Sequence, residues 1–549
     1  MTRALLLLLL SATLTATRAQ ICVGGLKLPF DSLTNTCLAS LPQDMFGTNV
    51  TLEVKASDEY IMMLIDRVYV SKNTFTFKNL SAAHTYDITL VDKNGAQQHT
   101  SLQFTFLPVL QLQGTFGYEY QAATMLLFQD GRADTLAATI KWRGGTTNSP
   151  EKHKRNYKVK LDSDKPLLGL RSDNNWILDA GQADVFRLRN RIAMDIWNDI
   201  TTPPYYITQA PKARSGVSGR VVEVFLNDEY AGIYNFSENM DRKQTRVKKA
   251  SGQAINGCLY KAKGWNYTLM NKASYDPYDN LSEKWGDFEV KYPDLSDCDS
   301  TDWSTLYNAL CFVANSSDED FCNQAADYFD LPPLIDYCVF GSSLNALDNY
   351  GKNMFWAVYD KNADKKLTPC AWDLDCTVGQ RWAEQYNKNF SSPYFMYDMT
   401  FGLVTRLVQL NADHFIEKLN SRYDELRQTV LSTDSLTQRY TDYYRLISES
   451  GAARREEDRW SGDSDVRGET IAFSQELDYI ADWIQKHLDR LDTMHFPLSI
   501  KTSLMPLQTT GRDSSVRLPA VFDLSGRRMP SDRLSKGIYI VNGKKMAVR

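Results

Sequence analysis

No linker rich in proline, glycine or serine interrupts residues 106 to 495, and strand and helix signals alternate throughout that stretch. Such a segment is expected to fold as one large α+β unit that opens with strands and closes with helices. Residues 137 to 161 read as a hairpin: Ala137 to Trp142, a loop around Gly144-Gly145, then Tyr157 to Leu161. Val185, Leu188, Ile192 and Ile196 recur at helical spacing between Asp184 and Asp199. Residues 221 to 234 alternate as two strands around Asn227-Asp228-Glu229. Helical periodicity dominates from 303 to 343, residues 264 to 300 read as a polar, irregular insertion, and Ile471 to Leu491 is expected to form the closing helix.

The flanks differ from this middle. Residues 20 to 105 alternate apolar and polar positions in short runs such as Val50-Thr51-Leu52-Glu53-Val54, which predicts a small antiparallel, immunoglobulin-like β-sandwich. Residues 496 to 549 carry short β-like runs with turns at Ser525-Gly526 and Lys536-Gly537, a small C-terminal β module. Residues 1 to 19 read as a cleavable export signal, with Arg3, the apolar run Leu5 to Leu10 and the small residues around Thr17-Arg18-Ala19. That run is shorter than the roughly 20 residues a spanning helix needs. No later segment resembles it, so no transmembrane segment is expected.

Charge and cysteine usage exclude further classes. A formal net charge of -5 and a pI near 5.8 supply no basic field, so no nucleic-acid partner is expected. Six histidines lack the His-Glu-x-x-His spacing and the nine cysteines lack Cys-x-x-Cys pairs, which argues against zinc. In an oxidising compartment Cys22 with Cys37, and Cys311 with Cys322 or Cys298, are close enough to close small loops.

The chemistry concentrates between Leu344 and Gly379. Asp348 is followed five residues later by Asn353; a strand, a charged turn from Asp360 to Lys366 and a return strand then lead to Trp372-Asp373-Leu374-Asp375. Triphosphates are densely anionic and are bridged by hard divalent cations, which prefer oxygen ligands such as Asp373, Asp375 and the Asn353 amide oxygen. Asp348 is then the group left to orient an acceptor hydroxyl and take its proton. The apolar approach Pro369-Cys370-Ala371-Trp372 is expected to bury Asp373 and Asp375, where a carboxylate needs a partner or a metal. Arg143, Lys158 and Lys160 offer positive charge to phosphates. The two lysines share one strand face, which leaves open which makes the contact.

These blocks, in order, resemble the spore-coat CotH-like kinases across residues 138 to 380. They are Trp142-Arg143-Gly144-Gly145-Thr146-Thr147, Lys154 to Lys160, Leu167-Leu168-Gly169-Leu170 with Asn175-Trp176-Ile177-Leu178, Arg187 to Asn190, Val224 to Tyr234, Ser237-Glu238, Asp348, Asn353 and Trp372 to Asp375. Asp228 departs from the family's usual Gly. The resemblance implies an atypical protein-kinase-like domain that binds ATP with Mg2+ or Mn2+. Asp348 would be its catalytic residue, Asn353 and Asp373 its metal ligands, and Asp375 a further one. Glu238 joins Arg143, Lys158 and Lys160 as a nucleotide-site candidate, with an Arg189–Glu238 ion pair as one way of holding the lobes.

The tail, Val521 to Arg528 and Leu534 to Lys545, is similar to the C-terminal sorting domains of the type IX secretion system in Bacteroidetes. That likeness implies export to the outer-membrane surface or the medium of a Gram-negative bacterium, with secretion machinery as a partner. The expected function is a kinase acting on exported or surface proteins. The rival expectation is a catalytically silent, surface-displayed binding or structural protein on a kinase-like scaffold.

Overall fold

The computed structural model describes residues 20–265, 274–381, 402–466 and 469–495, together with 521–522, 528–529, 537–541 and 544–548. The expected export signal, the expected Ser525-Gly526 turn and Lys536 lie outside these residues. The chain forms two compact units, Met1–Ser503 and Leu504–Arg549.

The first unit opens as the β-sandwich that the alternation predicts. A four-stranded sheet faces a six-stranded one. Ile21, Val23, Val54, Phe77, Ile88 and Phe104 fill the space between them, while Cys22, Thr51 and Glu53 point outward. One strand pair departs from the expected antiparallel pattern: Thr36–Ser40 runs parallel to Gln97–Thr105. The nine cysteines form no disulfide. Alternation explains the Cys22–Cys37 case, since Cys37 is buried in the sandwich core and Cys22 sits between two inward-facing neighbours.

Seven strands, from Val109–Gly114 to Glu229–Glu238, then close into a barrel. Within it, Arg132–Arg143 pairs antiparallel with Asn156–Pro166, as the hairpin reading predicts, with Lys141 opposite Lys158 and Arg143 opposite Asn156. Side-chain alternation sorts these strands sharply. Ile140, Tyr157, Val159, Trp176 and Leu178 fill the barrel, so Arg143, Lys158, Ile177 and Asp179 stand on its outer face.

That outer face is covered by the helix Arg189–Ile200, whose Ile192, Ile196 and Trp197 share one core with Ile177, Val221 and Ile233. The helix starts five residues later than its apolar spacing indicates. Arg187 adopts a left-handed backbone (φ 63°), and Asp184 accepts the N–H groups of Phe186 and Arg189, so residues 184–188 make a turn.

A second lobe follows. Its five-stranded antiparallel sheet runs in the order Lys284–Trp285, Phe288–Tyr292, Cys258–Ala262, Met354–Val358, Thr368–Ala371. The first two of these strands lie in the stretch expected to be irregular. The pattern hides them because Glu289 and Lys291, on their exposed side, look like loop residues. Helices Ser304–Asn315, Asp318–Tyr328 and Leu331–Ser343 pack behind the sheet, and Phe473–Arg490 closes the region within the limits expected for the final helix. No helix among the described residues is long and apolar enough to cross a membrane.

In the second unit, Val521–Phe522, Arg528–Met529, Gly537–Val541 and Lys544–Val548 form a four-stranded antiparallel sheet.

Candidate active site

Residues 344 to 379 carry the last two strands of the second lobe's sheet, and a buried amide holds them in shape. Asn349, 1% exposed, donates through Nδ2 to the carbonyls of Asn353 (3.0 Å) and Trp372 (2.8 Å), tying the start of one strand of the hairpin to the end of the other. Asn353 and Asp373 both have left-handed backbones, at φ 51° and 59°. Such conformations cost non-glycine residues about 1 kcal/mol or more and persist where the surroundings enforce them.

Within this frame Asp348 and Asn353 meet. Asn353 Nδ2 donates to Asp348 Oδ2 at 2.6 Å, and Lys352 Nζ lies 2.6 Å from Oδ1. Burial raises the Asp348 carboxyl above its usual range; Lys352 pulls it back, and the charge of nearby Asp373 pushes it up again. Asp373 itself is exposed, contrary to the expectation that its apolar approach would bury it. The left-handed turn swings it away from the strand that delivers it. Asp375, half-buried, is pushed well up by burial and by the charges of Asp373, Asp179, Asp348 and Asp184. The sequence reading did not single out Asp179. This residue ends the barrel strand Ser172–Asp179 and is likewise raised by burial, with Asp373 adding to the effect.

Asn190 links the lobes here. Its Nδ2 donates to Asp179 Oδ2 at 2.6 Å, and its Oδ1 accepts the Leu374 N–H at 2.9 Å, so one side chain fixes both the barrel rim and the Asp373–Asp375 turn. The signal for it was present in the Arg187 to Asn190 block, although spacing gave no reason to choose Asn190.

The basic candidates divide. Arg143 lies 5.7 Å over the Trp372 ring, directly beside the Asp373 turn. Lys158 is half-buried, and its ammonium is lowered by burial and then by the charges of Arg143, Lys141 and Lys291. Lys160, two residues on, is exposed and stands opposite Asn175. Glu238 is not brought into this group. It pairs in register with the core residue Trp176 and accepts from the Ser218 N–H, the Arg171 N–H and Gln244. The Arg189–Glu238 pair is absent as well: Arg189 binds Asp184 (2.6 Å) and Glu476 (2.5 Å) instead, joining its helix to the closing helix.

Asp348, Asn353 and Asp373 thus stand on one side of the cleft and Arg143 and Lys158 on the other. A narrow cavity of about 30 Å3 lies between Arg143, Asp179, Asn190, Trp372 and Asp373, room for a water or an ion. A wider cavity, about 830 Å3, lies elsewhere, against the sandwich edge strands Val68–Tyr69 and Thr74–Phe77.

The residues fit a divalent cation in one respect: the charge of Asp373 helps raise the proton affinity of Asp375, Asp179 and Asp348, the mark of carboxylates crowded without enough positive charge. Among the described residues, no three His, Cys, Asp or Glu side chains form a cage by themselves. An ion held by Asp373 and Asn353 would therefore take other oxygens, those of phosphates, to complete its shell.

An Asp and an Asn five residues apart, opposite a basic strand face across a two-lobed cleft, define a kinase-like domain. The family model described as CotH kinase protein matches residues 140–491, and the chain belongs to that family. A comparison with curated proteins finds no match.

Proposed function

We propose that this protein is an exported kinase that transfers the γ-phosphoryl group of ATP to hydroxyl side chains of exported or surface proteins. The observation that carries this reading is the meeting of Asp348, Asn353 and Asp373 in one cleft with Arg143 and Lys158. Asp348, its Oδ1 beside Lys352 and its Oδ2 on Asn353, is the base that takes the acceptor hydroxyl's proton. The acceptor oxygen bonds to the γ-phosphorus, the bond from that phosphorus to the β–γ bridging oxygen breaks, and ADP leaves. Arg143 and Lys158 hold the phosphates as charge-assisted donors; Lys160, more exposed, plays a lesser part. Mg2+ or Mn2+, on Asp373 and Asn353 with Asp375 nearby, would supply charge neutralisation. The export-like N-terminus and the sorting-like tail support delivery to the outer-membrane surface or the medium through a type IX route.

The test is incubation of the full-length protein with labelled ATP, Mg2+ or Mn2+ and candidate envelope proteins. The wild type should label an acceptor and Asp348→Ala should not. A wild type that neither binds ATP nor labels any acceptor ends this reading.

A further inference from the structure

Lys261 is a half-buried cation facing the same cleft from the second lobe. It lies on Cys258–Ala262, where register places it beside Phe355 on one neighbouring strand and Glu289 on the other. Tyr260, its neighbour, turns toward the helices and stacks on Trp303 (5.5 Å), so Lys261 projects from the opposite face of the sheet. Its Nζ is 6.0 Å from the centre of the Phe355 ring. Phe355 meets Trp372 edge-to-face at 5.6 Å, and Arg143 covers Trp372 from the barrel side. Two cations from two lobes therefore flank one aromatic pair at the root of the Asp373 turn.

The neighbouring lysines already share a carboxylate. Glu289 pairs with Lys291 at 2.7 Å and also with Lys263, and these contacts hold its carboxyl down at about 2 against the opposing effect of burial. Lys261 has no carboxylate in ion-pair contact among the described residues. Burial lowers its ammonium to about 8, Asp373 and Glu289 resist, and Arg143 and Lys291 add to the lowering. A half-buried cation beside two others is costly until an anion joins it.

We propose that Lys261 is a phosphate ligand of the bound nucleotide, the second lobe's counterpart to Arg143, so that the phosphates are gripped from both sides of the cleft. This inference rests on the kinase reading above. It is tested by titrating the full-length wild type and the variants Lys261→Met, Lys261→Arg and Lys291→Met with ATP, inorganic triphosphate and adenosine, each with Mg2+, by calorimetry. Lys261→Met should weaken ATP and triphosphate about 10- to 100-fold, the loss of one charge-assisted contact, and leave adenosine unchanged. Lys291→Met should change ATP affinity less than about threefold, because Glu289 already screens that charge. Lys261→Arg should restore most of the affinity.

Because Lys261→Met removes an unpaired charge, its melting temperature should not fall below that of the wild type. A variant that melts lower and loses adenosine along with ATP makes Lys261 structural and overturns the assignment. A wild type that binds ATP no better than Lys261→Met removes the Lys261 assignment alone. A wild type that binds neither ATP nor triphosphate removes the kinase reading and this inference with it.

Discussion

Lys154 Nζ stands 3.1 Å from Glu456 Oε2 in a fully buried ion pair between residues 302 positions apart. The same carboxylate accepts Arg187 Nε at 2.7 Å and the Ile233 N–H at 2.7 Å. Gly232, with φ at +98°, passes so close that a Cβ there would collide with Glu456. One side chain of the helix Ala452–Trp460 thus ties together the barrel and the turn that launches the helix Arg189–Ile200. Burial draws the Lys154 ammonium down to about 7, with Glu456 opposing it.

Glu456→Ala should therefore cost about 3 to 5 kcal/mol, because Lys154 and Arg187 would be left buried without a counter-charge. Glu456→Gln keeps the shape and should cost nearly as much, since the lost term is charge rather than packing. The urea midpoint of the full-length protein measures both. A midpoint unchanged in Glu456→Gln would show that the network carries no such energy.

A second prediction concerns pH. Asp330, 5% exposed, precedes the helix Leu331–Ser343, and its Oδ2 alone accepts both the Tyr205 N–H (2.8 Å) and Thr368 Oγ1 (2.9 Å). Burial raises its carboxyl to about 6. The folded chain thus holds a proton that the unfolded chain, near the ordinary 3.8, has already released. The stability this group contributes is complete at low pH and is lost as pH rises from about 4 through about 6. Asp330→Asn keeps the accepting oxygen and removes the charge. It should be about 1 to 3 kcal/mol more stable than wild type at pH 8, with the gap closing near pH 4. Denaturant melts at the two pH values decide it; a gap that stays constant with pH contradicts the assignment.

Legibility in the sequence followed periodicity. Strands that alternate cleanly, such as those carrying Ile140 and Val159, were readable, and so was the turn at Asn227, whose left-handed backbone suits an Asn (φ 55°). The five-residue spacing of Asp348 and Asn353 brings them into hydrogen-bond contact, a juxtaposition that is local and so legible. Other parts depended on long-range packing that local pattern does not encode. Nothing near Lys261 announces that its strand will face a barrel formed more than 20 residues earlier. Nothing near Arg189 says that its partners are Asp184 and Glu476 rather than Glu238. The late start of the helix at Arg189 arose because Arg187 takes a backbone conformation that apolar spacing cannot reveal.

Asp373 should separate binding from chemistry. It is exposed in the cleft and makes no closer partner of Asp348 than a neighbouring charge, so its removal leaves the Asp348–Asn353 contact in place. Asp373→Ala should abolish the Mg2+-dependent part of ATP binding in calorimetry, whereas Asp348→Ala should bind ATP as the wild type does. Equal, Mg2+-dependent binding by Asp373→Ala would remove that residue from the metal site.

Lys352 offers the sharpest test of how Asp348 works. Its ammonium touches Asp348 Oδ1 and lies 4.6 Å over the Trp265 ring, so it faces the proposed base rather than the cations around Arg143. Because Lys352 draws the buried Asp348 carboxyl back down, Lys352→Met lets that carboxyl rise further. The acid limb of the kcat profile should then move to higher pH, and kcat should fall along that limb because more of the carboxyl is protonated there. KM for ATP should stay unchanged, and Lys352→Arg should restore both the limb and the rate, since a guanidinium can make the same charge-assisted contact. A raised KM with an unmoved acid limb would mean instead that Lys352 holds the nucleotide and that Asp348 is tuned by burial alone.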